Sequence, residues 1–203
     1  MKIREVKIIR SVLRKEIGWL WALFMVKCLI SGNAIFRKTH WAGVRDEESR
    51  FVKRFSLACA IYIELGGKIG KENAFEAMKK ILVPIGCSEQ WNHLNSLNLS
   101  KDSGMVGLMA FNNLMDKKGA PQFNKREYVK QNNNICHFII TRCVFYDFFT
   151  ETGTSELTRL FCEVDREFFP GAFPDFRFYR GTSWENTIAY GKDCCDFIFE
   201  KES

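Results

Sequence analysis

Cys162 and Asp165 stand three residues apart in the segment TSELTRLFCEVDREFF. A helix would make their side chains neighbours on one flank. The helical period is present: Leu157, Leu160, Phe161, Val164 and Phe168 share one face, with Asp165 at the edge of that stripe and Cys162 further round. An acid at the lip of a buried face is partly desolvated, which raises its pKa toward the range useful for general acid–base work. The plain alternative is a solvated helix acid beside a filler cysteine. Arg180 is a second signal, because strand alternation places it on the same face as Phe176 and Phe178. A guanidinium among aromatic rings is costly to bury unless it is paired, and a carboxylate, from Asp165 or from a ligand, is its natural partner. Cys143 follows Arg142 and precedes Asp147 by four, which reads equally as a thiol activated by a cation or as a helix start with a cation beside it. His137 shares a strand face with Ile135 and Ile139, and is either a satisfied core histidine or a partner for Cys143.

The remaining cysteines and motifs narrow the chemistry. Cys194 and Cys195 point to opposite faces of a strand, so Cys195 joins Phe197 and Phe199 inside while Cys194 and Asp196 face away. No C-x-x-C pair or zinc-spaced histidine cluster is present, nor G-x-S-x-G, a P-loop, G-x-G-x-x-G or H-E-x-x-H. No metal or cofactor is expected on these grounds. His93 has no partner at ligand spacing.

The elements that position these groups follow from periodicity and breakers. A helix is expected from Lys2 to about Ile30, bent at Gly18 and ended by Ser31-Gly32-Asn33, with Trp19 to Met25 apolar on most sides. A second helix runs from about Asp46 to Leu65, ended by Gly66-Gly67 and packing Cys59. A third runs from Glu72 to Leu82, before Pro84. Trp91, Leu94 and Leu97 suggest a further helix and Met105 to Met115 another, with turns at Gly119-Ala120-Pro121 and Asn132-Asn133-Asn134. Ile135 to Thr141 alternates as a strand, Cys143 to Thr152 is helical and stops at Gly153, and Thr154 is an N-cap for the helix that ends at Pro170-Gly171. A strand at 176–180 and a hairpin of Thr187–Tyr190 with Cys195–Glu200 close the chain. Helices first and antiparallel strands late give an α+β fold, with a helical N-terminal half packed with a C-terminal helix pair and a small antiparallel sheet. At 203 residues one domain is the default, mostly helical over 1–130 and α+β over 131–203.

Charge is segregated along the chain. Residues 1–55 carry 13 Lys/Arg against 5 Asp/Glu, whereas residues 143–203 carry 6 against 12. The basic front end suits a membrane surface or nucleic acid, or else the two halves pair with each other or merely solvate their helices, and no nucleic-acid motif accompanies the charge. The apolar run Ile17 to Val26 is too short to span a bilayer and lacks the features of a signal peptide. Its eight cysteines are therefore read as reduced thiols of a cytoplasmic protein. The Trp19 to Met25 segment is also a candidate homodimer contact.

An ordered set of residues carries a resemblance. Cys143, Gly153-Thr154-Ser155-Glu156-Leu157, Phe161-Cys162-x-x-Asp165, Phe178-x-Arg180, Thr187-Ile188-Ala189-x-Gly191 and Cys195-Asp196-Phe197 together resemble the L-2-amino-thiazoline-4-carboxylic acid hydrolase family over the last 60 to 70 residues. The resemblance implies a hydrolase that opens a small cyclic amidine to an N-carbamoyl-cysteine type of product. Asp165, Cys162, Cys143 and His137 are then its catalytic candidates, and Arg180, Thr187 and Asp196 its substrate-binding ones. The closing pattern from Gly191 to Phe197 is also similar to the vinyl-4-reductase type of small-ligand domain, which implies a non-catalytic binding or sensor module instead.

Overall fold

A computed structural model describes residues 3–99 and 103–202, so the expected helix start at Lys2 lies outside them. The chain forms two compact units, one of Met1–Ile85 with Phe148–Phe161, the other of Gly86–Asp147 with Cys162–Ser203.

The first unit is helical. Helix α1 (Ile3–Ile17) buries Ile9 and Leu13 and carries Arg14 and Lys15 in its last turn, where cations favour the dipole. Gly18 stops it with φ +68°, a conformation that favours glycine. A short 3-10 turn then leads into α2 (Trp21–Phe36). The expected stop at Ser31-Gly32-Asn33 is overturned, because Gly32 is a point of close helix approach. A Cβ built there would lie 3.0 Å from the Ser56 carbonyl oxygen at the start of α4 (Ser56–Ile69). The extension to Phe36 also removes the length argument against a membrane crossing, since the helical run Ile3–Phe36 holds a window long and apolar enough for one, 22% of it buried.

Between them lies α3 (Glu47–Lys53), capped by Asp46, whose carboxylate accepts from the Ser49 backbone N–H at 2.7 Å. The second expected helix is thus two, and Gly66-Gly67 lie inside α4 rather than ending it; the true stop is Gly70 at φ +83°. Cys59 is fully buried, as its place in the apolar stripe requires. Thr154, expected as an N-cap, caps nothing: it is buried, with its hydroxyl 2.9 Å from that of Thr152 and 3.5 Å from the Cys59 sulfur. A 3-10 turn at Ser155–Leu157 intervenes instead.

Helix α5 (Lys71–Asn95) continues through Pro84, which was expected to stop it. Proline removes one helical hydrogen bond, but Ile81 anchors the helix in the first unit and Trp91, edge-on to Phe168 at 5.3 Å, anchors its continuation in the second. Helix α6 (Gly104–Lys118) follows, as its period predicts.

The sheet belongs to the second unit. Its strands are β1 (Lys125–Gln131), β2 (Ile135–Arg142), β3 (Phe176–Tyr179) and β4 (Cys195–Lys201), all neighbours antiparallel in the order β1-β2-β4-β3. Strand β1 has no signature in the sequence because, at the sheet edge, almost all of it is exposed and no apolar alternation is needed. Residues 187–190 do not form the expected hairpin strand; Ile188–Tyr190 is a 3-10 turn, and β4 pairs with β2 and β3. Helix α7 (Val144–Glu151) and helix α8 (Thr158–Ala172) complete the fold, α8 continuing through Pro170-Gly171 to Ala172. Pro170 lies in the last turn, where the helix has few further bonds to lose.

Register decides which face the sheet buries. Cys136 opposes Phe199, Phe138 opposes Phe197, Ile140 opposes Cys195 and Phe178 opposes Phe199. These residues pack with Leu108, Phe111 and Met115 of α6, Phe168 and Phe169 of α8 and Phe173 just after it into one core. The fold is α+β.

Two glycines in one unit test how packing ranks against propensity. Gly67, exposed within α4 with open space at its Cβ position, is expected to gain about 0.5–1 kcal/mol on substitution by alanine. Gly32→Ala gains the same propensity but presses on backbone, and is expected to lose a net 1–3 kcal/mol, roughly the cost of an overpacked core. Urea unfolding of the two variants checks the opposite signs.

Candidate active site

Arg180 follows directly on β3, and strand alternation carries it onto the aromatic inner face. It is only 2% exposed, and its guanidinium carbon lies 3.6 Å from the centroid of Phe197, with Phe178 at 5.4 Å and Trp184 at 5.2 Å. Aromatic faces replace part of the lost hydration by cation–π attraction. The rest comes from Asp165: Nη2 of Arg180 donates to its Oδ2 at 2.7 Å. The pairing expected from the sequence is therefore present. Nε of Arg180 is buried and donates to nothing among the described residues.

Asp165 arrives from the flank of α8, and 20% of its side chain stays exposed. Burial pushes its carboxyl up from 3.8 to about 6, while the Arg180 guanidinium pulls the other way. Burial wins. The result is a carboxyl able to hold or release a proton near neutrality, beside a fixed positive charge.

Three thiols flank this pair. Cys162, a turn earlier on α8, is pushed up to about 12, by burial first and then by Asp165 and Cys195 against the opposing pull of Arg180. Cys143, between β2 and α7, is raised to about 12 by burial, with the backbone N–H groups of Tyr146 and Phe145 opposing and Cys162 and Cys195 adding to the rise. Cys195 accepts from the Ile188 backbone N–H at 3.2 Å and is core, as expected. Thr187 is fully buried; its hydroxyl lies near enough to Cys162 to favour the thiolate slightly but makes no hydrogen bond of regular geometry.

Asp165, Cys162, Arg180 and Thr187 are thus brought together, and Cys143 lies near Cys162 and Cys195. His137 and Asp196 are not with them. Both point from the opposite face of the sheet, where Nε2 of His137 lies 2.7 Å from Oδ1 of Asp196 and Asn186 donates to Oδ2 at 3.1 Å. The partner of His137 is therefore Asp196, not Cys143. Two residues escaped the sequence reading. Trp184 sits under Arg180 and Arg166 with a buried Nε1 that has no hydrogen-bond partner among the described residues, and Asn186 holds Asp196. They lie in a loop whose sequence has no period, so only the aromatic identity of Trp184 offered a signal.

Fold and site define an α+β protein that keeps one guanidinium–carboxylate pair on the aromatic face of an antiparallel sheet. A model of the L-2-amino-thiazoline-4-carboxylic acid hydrolase family matches residues 49–199, well beyond the C-terminal motifs. The chain belongs to that family. Comparison with curated proteins and with solved structures gave no match.

The raised pKa of Asp165 has a consequence for stability. A carboxyl whose folded value exceeds its ordinary 3.8 binds its proton more tightly in the native state, so its contribution is present at low pH and lost as pH rises through about 6. The stability difference between wild type and Asp165→Asn is expected to shrink by up to about 3 kcal/mol between pH 4 and pH 7, at 1.36 kcal/mol per pKa unit. Guanidinium unfolding at a series of pH values reads the slope. A rising difference would mean that the pull of Arg180 outweighs burial.

Proposed function

We propose that this chain hydrolyses a small cyclic amidine carboxylate of the 2-amino-thiazoline-4-carboxylate type, opening the ring at C2. Membership of the family supports this substrate class. The observation that carries the reading within this chain is the unpartnered Nε of a buried Arg180 beside a carboxyl poised near neutrality. A substrate carboxylate would complete the guanidinium. That leaves the amidine carbon, flanked by sulfur and nitrogen, facing Asp165.

In this reading Asp165 takes a proton from a water molecule as its oxygen bonds to C2. The tetrahedral centre collapses with cleavage of the C2–S bond, whose electron pair leaves on sulfur. Asp165 returns its proton to the sulfur, and the water's second proton ends on nitrogen. The product is an N-carbamoyl-cysteine, the sum of substrate and one water. Thiolate is a good leaving group, so a weak acid of pKa near 6 suffices. Water serves as nucleophile because both Cys162 and Cys143, raised to about 12, are protonated at neutral pH. Thr187 adds a buried hydroxyl to the substrate's surroundings. His137 and Asp196 act as positioning residues, holding Asn186 and so the loop that delivers Thr187.

Turnover is read by the new free thiol. Activity is expected to fall below about pH 6 as Asp165 takes up its proton. Asp165→Asn is expected to lower kcat by about 100-fold or more, the usual worth of a positioned acid–base group, and Arg180→Lys to act mainly on KM. Wild-type turnover in both variants would end this assignment. The competing reading, a binding module of the vinyl-4-reductase type, is favoured by saturable binding of 2-amino-thiazoline-4-carboxylate with no thiol released.

A further inference from the structure

Helix α2 shows the opposite of a soluble helix's usual outward face. Trp19 just before it is 79% exposed, and Leu23, Val26, Leu29 and Ile30 are exposed at 67%, 55%, 56% and 69%. At 100° per residue these five fall within an arc of about 120°, while Phe24, Cys28, Gly32 and Phe36 are buried on the other side. Scattered exposed apolar residues need no explanation, but a continuous stripe does. Helix α1 supplies the complement. Lys7, Arg10, Arg14 and Lys15 line a shallow depression on its outward surface, and Arg10 stacks on Trp21 with its guanidinium carbon 5.4 Å from the ring centroid.

We propose that this helix pair docks the protein on an anionic membrane surface, the α2 stripe entering the headgroup boundary and the α1 cations meeting lipid phosphates and carboxylates. An apolar stripe with an aromatic anchor beside a basic helix face is the chemistry such a surface recognises. A second copy of the chain fits less well, because a symmetric contact through the stripe would bring two basic α1 helices together. Nucleic acid would leave the stripe unused. Crossing the bilayer is disfavoured by the buried side of α2, which is packed so closely on α4 that a Cβ at Gly32 would press on the Ser56 backbone at 3.0 Å, and by the Lys27–Glu64 pair at 2.5 Å along its edge.

The test is co-sedimentation of the full chain with phosphatidylcholine vesicles, alone or mixed with phosphatidylserine, at low and high salt. Binding is expected only to the anionic vesicles, reversed by high salt, and lost in Leu23→Gln/Ile30→Gln. Removing two cations in Lys7→Gln/Arg14→Gln is expected to weaken it by about tenfold or more. Thermal unfolding of each variant separates lost docking from lost folding, and the charge variant stands as a test if the apolar one does not fold. Equal binding to neutral and anionic vesicles, resistance to salt, or no vesicle binding together with a solution dimer dispersed by Leu23→Gln/Ile30→Gln would each overturn the proposal.

Discussion

A guanidinium set among aromatic rings must find counter-charge and hydrogen-bond acceptors, and most of the second unit can be traced to how Arg180 does so. Its carbon sits almost on the face of Phe197, which fixes the register of β4 against β3 and β2, because a slip of one residue would turn that ring to the other side of the sheet. Its Nη2 reaches Asp165, which fixes the rotation of α8 about its own axis. The same rotation aims Val164 at Gly86, where a Cβ would lie only 2.6 Å from a valine methyl, and lays Phe168 and Phe169 onto the core. One buried charge thus ties a helix orientation to a strand register. Removing either partner alone would strand the other, which costs far more than the pair contributes over an apolar substitute.

That constraint was legible in the sequence because it is local and chemical. Alternation along 176–180 puts Arg180 with Phe176 and Phe178, the helical period puts Asp165 at the rim of its stripe, and a buried cation demands an anion. The helix ends were much less legible. Gly32, Gly66, Gly67, Pro84 and Pro170 all look like breakers and all sit inside helices, since tertiary packing offsets the modest intrinsic penalties that make them breakers in isolation. Gly32 is there for contact rather than for a turn. Thr154 likewise has the composition of a cap, yet burial beside Cys59 and Thr152 redirects its hydroxyl. His137 was ambiguous for a different reason. Alternation gives its face, but only strand pairing brings Asp196 across from the neighbouring strand.

The cysteines are the feature whose meaning depends most on the fold. Near Arg142 and Asp165 in sequence, Cys143 and Cys162 resemble activated thiols. In the fold, Cys143 is raised by Cys162 and Cys195, Cys162 is raised by Asp165 and Cys195, and burial is the larger effect on both. The same low-polarity surroundings that silence the thiols are what lift Asp165 into a useful range. A single environment therefore raises both kinds of acid, leaving the thiols far above neutrality and the carboxyl near it, a difference that sequence spacing does not show.

Unpartnered polar atoms sharpen the same point. Six buried side-chain nitrogen or oxygen atoms lack a hydrogen bond among the described residues, and three of them, Nε of Arg180, Nε1 of Trp184 and Oγ1 of Thr187, fall within eight consecutive residues. Each such atom costs about 1–3 kcal/mol relative to a satisfied one, so a cluster of three opposes the fold rather than supporting it. The segment is nonetheless well fixed: Phe178 holds Trp184 edge-on at 5.8 Å, Asn186 bonds Asp196, and Asp196 meets His137. Rigid placement of unsatisfied donors beside a paired arginine is what a site needs if its hydrogen bonds are to be completed by an anionic ligand. The far-face network of His137, Asp196 and Asn186 thus pins a segment whose buried polar atoms are left without hydrogen-bond partners among the described residues.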